Sequence, residues 1–192
     1  MRKLQKRASR KHASGIGPEV RRLRVFKRLS VRSLATKLGF SPSFISQVEN
    51  GQASPSIASL ERIAGALGVG LRDLFPQPHS AVTPFLRTVE RPTIVSEWSK
   101  ARIEALTMPD APVPIDAILV DLQPRGSSGS KLHSGPSHRF AFVWQGAVVL
   151  NIGQDEYQLK AGDAITLPAG ALHQWTNRSR RRVRIVIVWF RT

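Results

Sequence analysis

The chain has no cysteine among its 192 residues. A disulfide scaffold and thiolate metal sites are therefore excluded, and the composition suits a reducing compartment. No run approaches the roughly 20 apolar residues that span a bilayer, and no apolar stretch follows the basic N-terminus. The expectation is a cytoplasmic protein with no membrane partner. No internal repeat is present. Acidic residues are scarce: 13 Asp and Glu face 29 Lys and Arg, for a formal net charge of +16. The imbalance is concentrated in the first 80 positions, which carry 15 basic and four acidic residues. A field of that sign gathers phosphate polyanions but says nothing about sequence preference.

What is present is most specific between Leu29 and Gly51, LSVRSLATKLGFSPSFISQVENG. Ala35 lies where a second helix crosses closely, and Gly39 supplies a tight left-handed turn. Ser41 caps the next helix, with Pro42 in its first turn, where a missing N–H costs nothing. Ile45 and Val48 face the core, which leaves Pro42, Ser43, Ser46 and Gln47 as a short polar face of the size a major groove meets. Leu23, Phe26 and Leu29 form a stripe before the motif. Ile57, Leu60, Ile63, Ala64 and Leu67 form another after it, capped by Ser54 or Ser56, and Leu71, Leu74 and Phe75 close a predicted five-helix bundle. Residues 20 to 75 resemble the all-α DNA-binding domain of the lambda and 434 repressor, or xenobiotic-response-element, family. That resemblance implies double-stranded operator DNA as partner. Ser43, Ser46 and Gln47 would then lie at the bases, Ser41 and Pro42 at the DNA-facing start of the same helix, and Arg32, Ser33, Asn50 and Ser56, at helix ends, beside phosphates.

Residues 1–18 are a basic, Ser- and Gly-rich arm with little to bury, expected to be disordered when free; it either follows DNA or merely solubilises. The helical domain is expected over 19–76, a proline-bearing linker over 77–83 and a second domain over 84–192. In that domain, Ile115–Leu122, Arg139–Trp144, Ala147–Ile152, Ala164–Leu167 and Val183–Phe190 read as strands of an all-β sandwich or barrel, while Trp98 to Leu106 reads equally as strand or helix.

Gly162, Pro168, Gly170, His173 and Asn177 reproduce G-x5-P-x-G-x2-H-x3-N, the second cupin signature. In the first signature, G-x5-H-x-H-x3-E-x6-G, counting back from Gly146 keeps His133 but puts Gly135 at the second histidine and Arg139 at the glutamate. The domain thus resembles a cupin, a double-stranded β-helix or jelly roll. The family's metal site is not kept, because a fixed cation replaces the carboxylate, and His138 falls on the opposite face of its strand. No metal, cofactor or catalytic residue is expected. Strand parity places Arg139, Ala141, Val143 and Gln145 toward the cavity and Phe140, Phe142 and Trp144 away from it. The arginines at 178, 180, 181, 182 and 184 read as a solvated rim.

The combination resembles a bacterial regulator architecture, implying a homodimeric, sequence-specific DNA-binding transcriptional regulator with a cupin sensor of a small-molecule effector. A DNA-tethered cupin oxygenase or isomerase, and a sequence-independent DNA-coating protein, are the other readings. Buried arginine needs a counter-charge, either an internal acid among Asp116, Asp121 and Asp163 or an anionic effector. In the second case Arg139, His133 and His173 would hold the anion, and Trp175 would pack on its apolar part.

Overall fold

The computed structural model describes residues 15–75, 85–107 and 114–190; the linker 77–83 and most of the basic arm lie outside them. Four α-helices, α1 (Gly17–Phe26), α2 (Val31–Leu38), α3 (Pro42–Glu49) and α4 (Ile57–Leu67), form the N-terminal unit. Val20, Leu34, Ala35, Ile45, Val48, Leu60 and Ile63 are buried between them. The N-terminal stripe differs from expectation. α1 buries Ile16, Val20 and Leu23, whereas Phe26 is 74 % exposed, because the helix ends there and Arg28 turns the chain at φ 55°.

The expected fifth helix is a four-residue 3-10 turn, Leu71–Leu74, so the described residues of the unit form four α-helices rather than five. Asp73 accepts from the Gly70 N–H at 2.8 Å and tightens the turn. Phe75, immediately before Pro76, is extended at φ −75° and ψ 145°, as a residue preceding proline prefers, and continuation into an α-helix is blocked.

Nine strands follow among the described residues. β1 (Thr93–Ser96), β2 (Ala101–Ala105), β3 (Ile115–Leu122), β9 (Val183–Phe190), β4 (Arg139–Gln145) and β7 (Ala164–Leu167) make one sheet in that order. β6 (Asp155–Lys160), β5 (Ala147–Ile152) and β8 (His173–Thr176) make the other. Inward residues Ile103, Val120, Leu122, Ala141, Val143, Leu150, Trp175 and Ile185 fill the space between. The ambiguous segment is β2. Gln145 departs from the expected parity because a bulge after Val143 turns it out to solvent. Asn177, the last residue of the second signature, is fully buried and donates to the carbonyls of Leu122, Gln123 and Arg181 at 3.0, 3.0 and 2.8 Å. It fastens the end of β8 to the end of β3.

The two domains are docked. The N–H of Ala58, in the first turn of α4, donates to the Ser128 carbonyl of the β-domain at 2.9 Å, satisfying a group that a helix start leaves unpaired. Arg72 pairs with Asp116 at 3.5 Å and donates to the Thr107 carbonyl at 3.3 Å.

Candidate functional site

The helix-turn-helix is formed by α2 and α3 around Gly39, which adopts φ 63° and ψ 34°. The Ser41 hydroxyl accepts from Phe44 N–H at 3.1 Å and starts α3, directing its N-terminus outward. Arg24 of α1 grips Glu49 at the far end of α3 with two bonds, 2.5 and 3.0 Å. α3 is thus anchored on its inner side and at its C-terminal end. Arg32, Ser33, Ser41, Pro42, Ser43, Gln47 and Asn50 are exposed, and Ser46 is half-buried with its hydroxyl 3.4 Å from Asn50 Nδ2. Ser56 is placed differently. It is buried, caps α4 by accepting from Ser59 N–H at 3.2 Å, and lies at the junction with the β-domain. A buried hydroxyl at that junction does not reach a DNA phosphate, contrary to the expectation for Ser56.

The β-domain brings His133, Arg139 and His173 together. His133 and His173 exchange backbone bonds of 2.9 and 2.8 Å, so their side chains emerge on one face and the rings lie 4.6 Å apart. The His173 Nδ1 bonds the Ala171 carbonyl at 2.9 Å, which as donor leaves its Nε2 as an acceptor. Burial, with the Arg139 charge adding to it, pushes His133 down to about 4; burial likewise pushes His173 down to about 4. Both imidazoles are neutral at neutral pH.

Arg139 points inward as strand parity requires, and its counter-charge comes from the other domain. Nη1 donates to Oε1 of Glu61, on α4, at 2.5 Å, while Glu61 Oε2 stands 3.5 Å from His133 Nε2. The Glu61 side chain is only 5 % exposed. Burial raises its carboxyl above the usual range although Arg139 opposes the shift. None of the three acids expected from the sequence takes this role. Asp116 pairs with Arg72, Asp121 lies 3.3 Å from Arg182 and 3.4 Å from Arg184, and Asp163 accepts from Lys160 N–H. The rim arginines 182 and 184 are therefore engaged on the outer sheet face, and Arg178 pairs with Glu156 at 2.7 Å.

Two of the departures from the first cupin signature, Gly135 and Arg139, are sterically coupled. A Cβ at Gly135 would collide with the Arg139 guanidinium, so the missing side chain at one position makes room for the long one at the other. Gly135→Ala is expected to cost about 1 to 3 kcal/mol of unfolding free energy, as overpacking does, measured by urea denaturation. An unchanged midpoint would show that the guanidinium relocates freely. The same arrangement does not fit a divalent metal: the guanidinium engages the carboxylate nearest the two histidines, and among the described residues no cluster of three metal-ligating side chains occurs.

A cleft of about 510 Å³ leads to the Glu61–Arg139 pair between the domains, with Trp189 beside it, 5.7 Å from the guanidinium. Trp175, expected as the pocket wall, is instead enclosed in the barrel core at 1 % exposure, and its Nε1 has no hydrogen-bond partner among the described residues. Glu61 is the residue that sequence reasoning missed. It sits between core residues of α4, where a lone glutamate reads as a solvated position, and one sequence carries no signal of which helix face meets another domain.

Comparison with known proteins agrees with this anatomy. Residues 20–74 match the helix-turn-helix family, and residues 118–189 match the cupin domain family. The chain is 26 % identical over 172 residues to the HTH-type transcriptional regulator PuuR of Escherichia coli (strain K12), covering 88 % of this chain and 91 % of that one. It is 32 % identical over 93 residues to the HTH-type transcriptional regulator SinR of Bacillus subtilis (strain 168), 48 % of this chain and 78 % of that protein. A crystal structure of a helix-turn-helix family transcriptional regulator from Vibrio cholerae shares the fold, with a TM-score of 0.70 at 20 % identity over 94 % of this chain and 97 % of that one. The chain belongs to the helix-turn-helix family of transcriptional regulators, with a cupin domain behind its DNA-binding domain.

Proposed function

We propose that this regulator is a cytoplasmic, homodimeric protein that reads an operator through α3 and senses a small anion at Arg139 in its cupin domain. The observation that carries the reading is a buried arginine that lines a cleft whose other wall is the DNA-binding domain, with the neutral pair His133 and His173 beside the carboxylate it holds. An arginine in place of the family's metal-binding carboxylate favours binding of an anion over metal-assisted chemistry, so the domain acts as a sensor rather than an enzyme. Trp189 replaces Trp175 as the aromatic surface against the ligand. Repression, the activity named for one relative, the immunity repressor protein of Bacillus phage phi105, is the default consequence of operator binding.

Base reading is tested with sites selected from random DNA. Gln47 is exposed on α3 and its amide can pair with adenine, an interaction worth about 1 to 3 kcal/mol. Gln47→Ala is expected to weaken binding to selected sites by roughly 5- to 150-fold while barely changing binding to random DNA at the same salt. An equal loss on both would make Gln47 a phosphate or structural residue.

A second copy is needed because one recognition helix covers only a few base pairs. The outer face of the six-stranded sheet offers the surface, with Phe140, Trp144 and Phe190 about half exposed or more and Phe142, Val186 and Val188 between them. Phe140→Lys in the full chain is expected to convert the dimer to monomer at micromolar concentration in sedimentation velocity. A wild type that is already monomeric would sink the dimer.

A further inference from the structure

We infer that Glu61 is a built-in occupant of the anion site, and that a small carboxylate enters the interdomain cleft by displacing it, so that effector binding and docking of the helical domain exclude one another. The inference rests on the anion-sensing reading above and specifies how that site is regulated.

Glu61 already makes the contacts that a ligand carboxylate would make. One oxygen accepts from Arg139 Nη1 at 2.5 Å and the other lies 3.5 Å from His133 Nε2. Arg139 is 8 % exposed, and its Nε has no acceptor among the described residues, so the guanidinium retains donor capacity for a second carboxylate geometry. The cleft ends at this pair. Gly65, Gly68 and Gly70 on the helical side, and Pro136 and Trp189 on the barrel side, leave about 510 Å³ in front of it, room for a small metabolite. The other acids of the cleft are engaged, Asp116 by Arg72 and Asp73 by the Gly70 N–H, so the cation that Glu61 would release is Arg139.

Displacement has a mechanical consequence because Glu61 belongs to α4. The Ala58 N–H to Ser128 carbonyl bond lies one turn away on the same helix, and the Arg72–Asp116 pair follows just beyond its C-terminus. An anion that takes Arg139 removes the central tie of this row. The helical domain is then freed from the barrel, and the two recognition helices of a dimer lose their fixed separation.

The test uses the full chain, with butyrate, succinate and inorganic phosphate as anionic probes and n-butylamine as a cation of matching size. Glu61→Gln keeps an oxygen for Arg139 but removes the competing charge. The two carboxylates are expected to bind Glu61→Gln at least tenfold more tightly than wild type in calorimetric titration, with n-butylamine showing no such gain. Independently of the variant, butyrate saturation of the wild type is expected to accelerate hydrogen exchange at the Ala58 amide. Equal anion affinity in both proteins with a protected Ala58 amide overturns displacement and leaves the anion site standing. Tighter binding of n-butylamine to wild type than to Glu61→Gln makes Glu61 the ligand's partner, and also overturns it. Phosphate binding without either carboxylate overturns the assigned ligand class. If no anion binds either protein, the anion-sensing reading itself falls.

Discussion

Arg139→Ala is expected to lower the unfolding free energy by about 3 to 5 kcal/mol, among the largest effects of any single substitution in this chain. The loss comes less from the removed pair than from what stays behind. Glu61 remains in a site where its side chain is 5 % exposed, next to imidazoles that carry no charge. A carboxylate there must either stay ionised without a counter-charge, take up a proton, or withdraw with α4 from the barrel. Each route is costly, and the third also breaks the Ala58–Ser128 and Arg72–Asp116 ties. Joint replacement by apolar residues of similar size, Arg139→Met with Glu61→Leu, removes both charges from the low-dielectric site and is expected to restore most of the loss. The double-mutant cycle by urea unfolding then yields a coupling of several kcal/mol across two domains. A single variant within about 1 kcal/mol of wild type, with a double variant equal to the sum, would show that solvent already screens the pair.

Such coupling bears on how much of this molecule was legible in its sequence. The helix-turn-helix was readable because its constraints are local: a cap at Ser41, a left-handed turn at Gly39 and core residues three apart at Ile45 and Val48 each act within one or two turns. The cupin half was readable where strands carry β-branched runs, as in β3, β5 and β9. β6 was not, since DEYQLK has only Tyr157 and Leu159 to mark an apolar face and all but Leu159 are exposed. β8 is only four residues long, and its placement follows from pairing with β5 and with His133 rather than from its own pattern. At the site, parity correctly directed Arg139 inward, and the electrostatic cost of burying it demanded a counter-charge, for which the sequence offered an anionic effector or one of three aspartates; the partner in the fold is Glu61 instead. Identifying that acid required knowing which surface of α4 lies against the barrel. That choice depends on shape across some 80 residues of sequence separation, which no periodicity encodes.

The histidine pair makes the fold sensitive to acid, and the sign follows from where protons bind. His133 and His173 are held at about 4 in the folded chain against about 6.5 when unfolded. Between those values the unfolded state binds more protons, so stability rises with pH across the window and is lost as pH falls from 6.5 toward 4. Below about 4 both states are protonated and the loss is complete. Each histidine contributes up to about 3 kcal/mol, at roughly 1.4 kcal/mol per pH unit. Glu61 runs the other way: its raised folded value lets the folded state take up a proton first on acidification, which offsets part of the loss. Urea midpoints measured from pH 7 to 4 should therefore fall steeply in wild type. They should fall less in His173→Gln and least in the variant that also carries His133→Gln, where carboxylate titration remains, Glu61 included. The His133 and His173 imidazole resonances in nuclear magnetic resonance should hold their neutral positions until the pH approaches 4. His133 or His173 signals, assigned by their loss in the variants, that titrate near 6.5, or a pH slope unchanged in the double variant, would mean that the two rings are solvated in the folded protein and that the site is open without an effector.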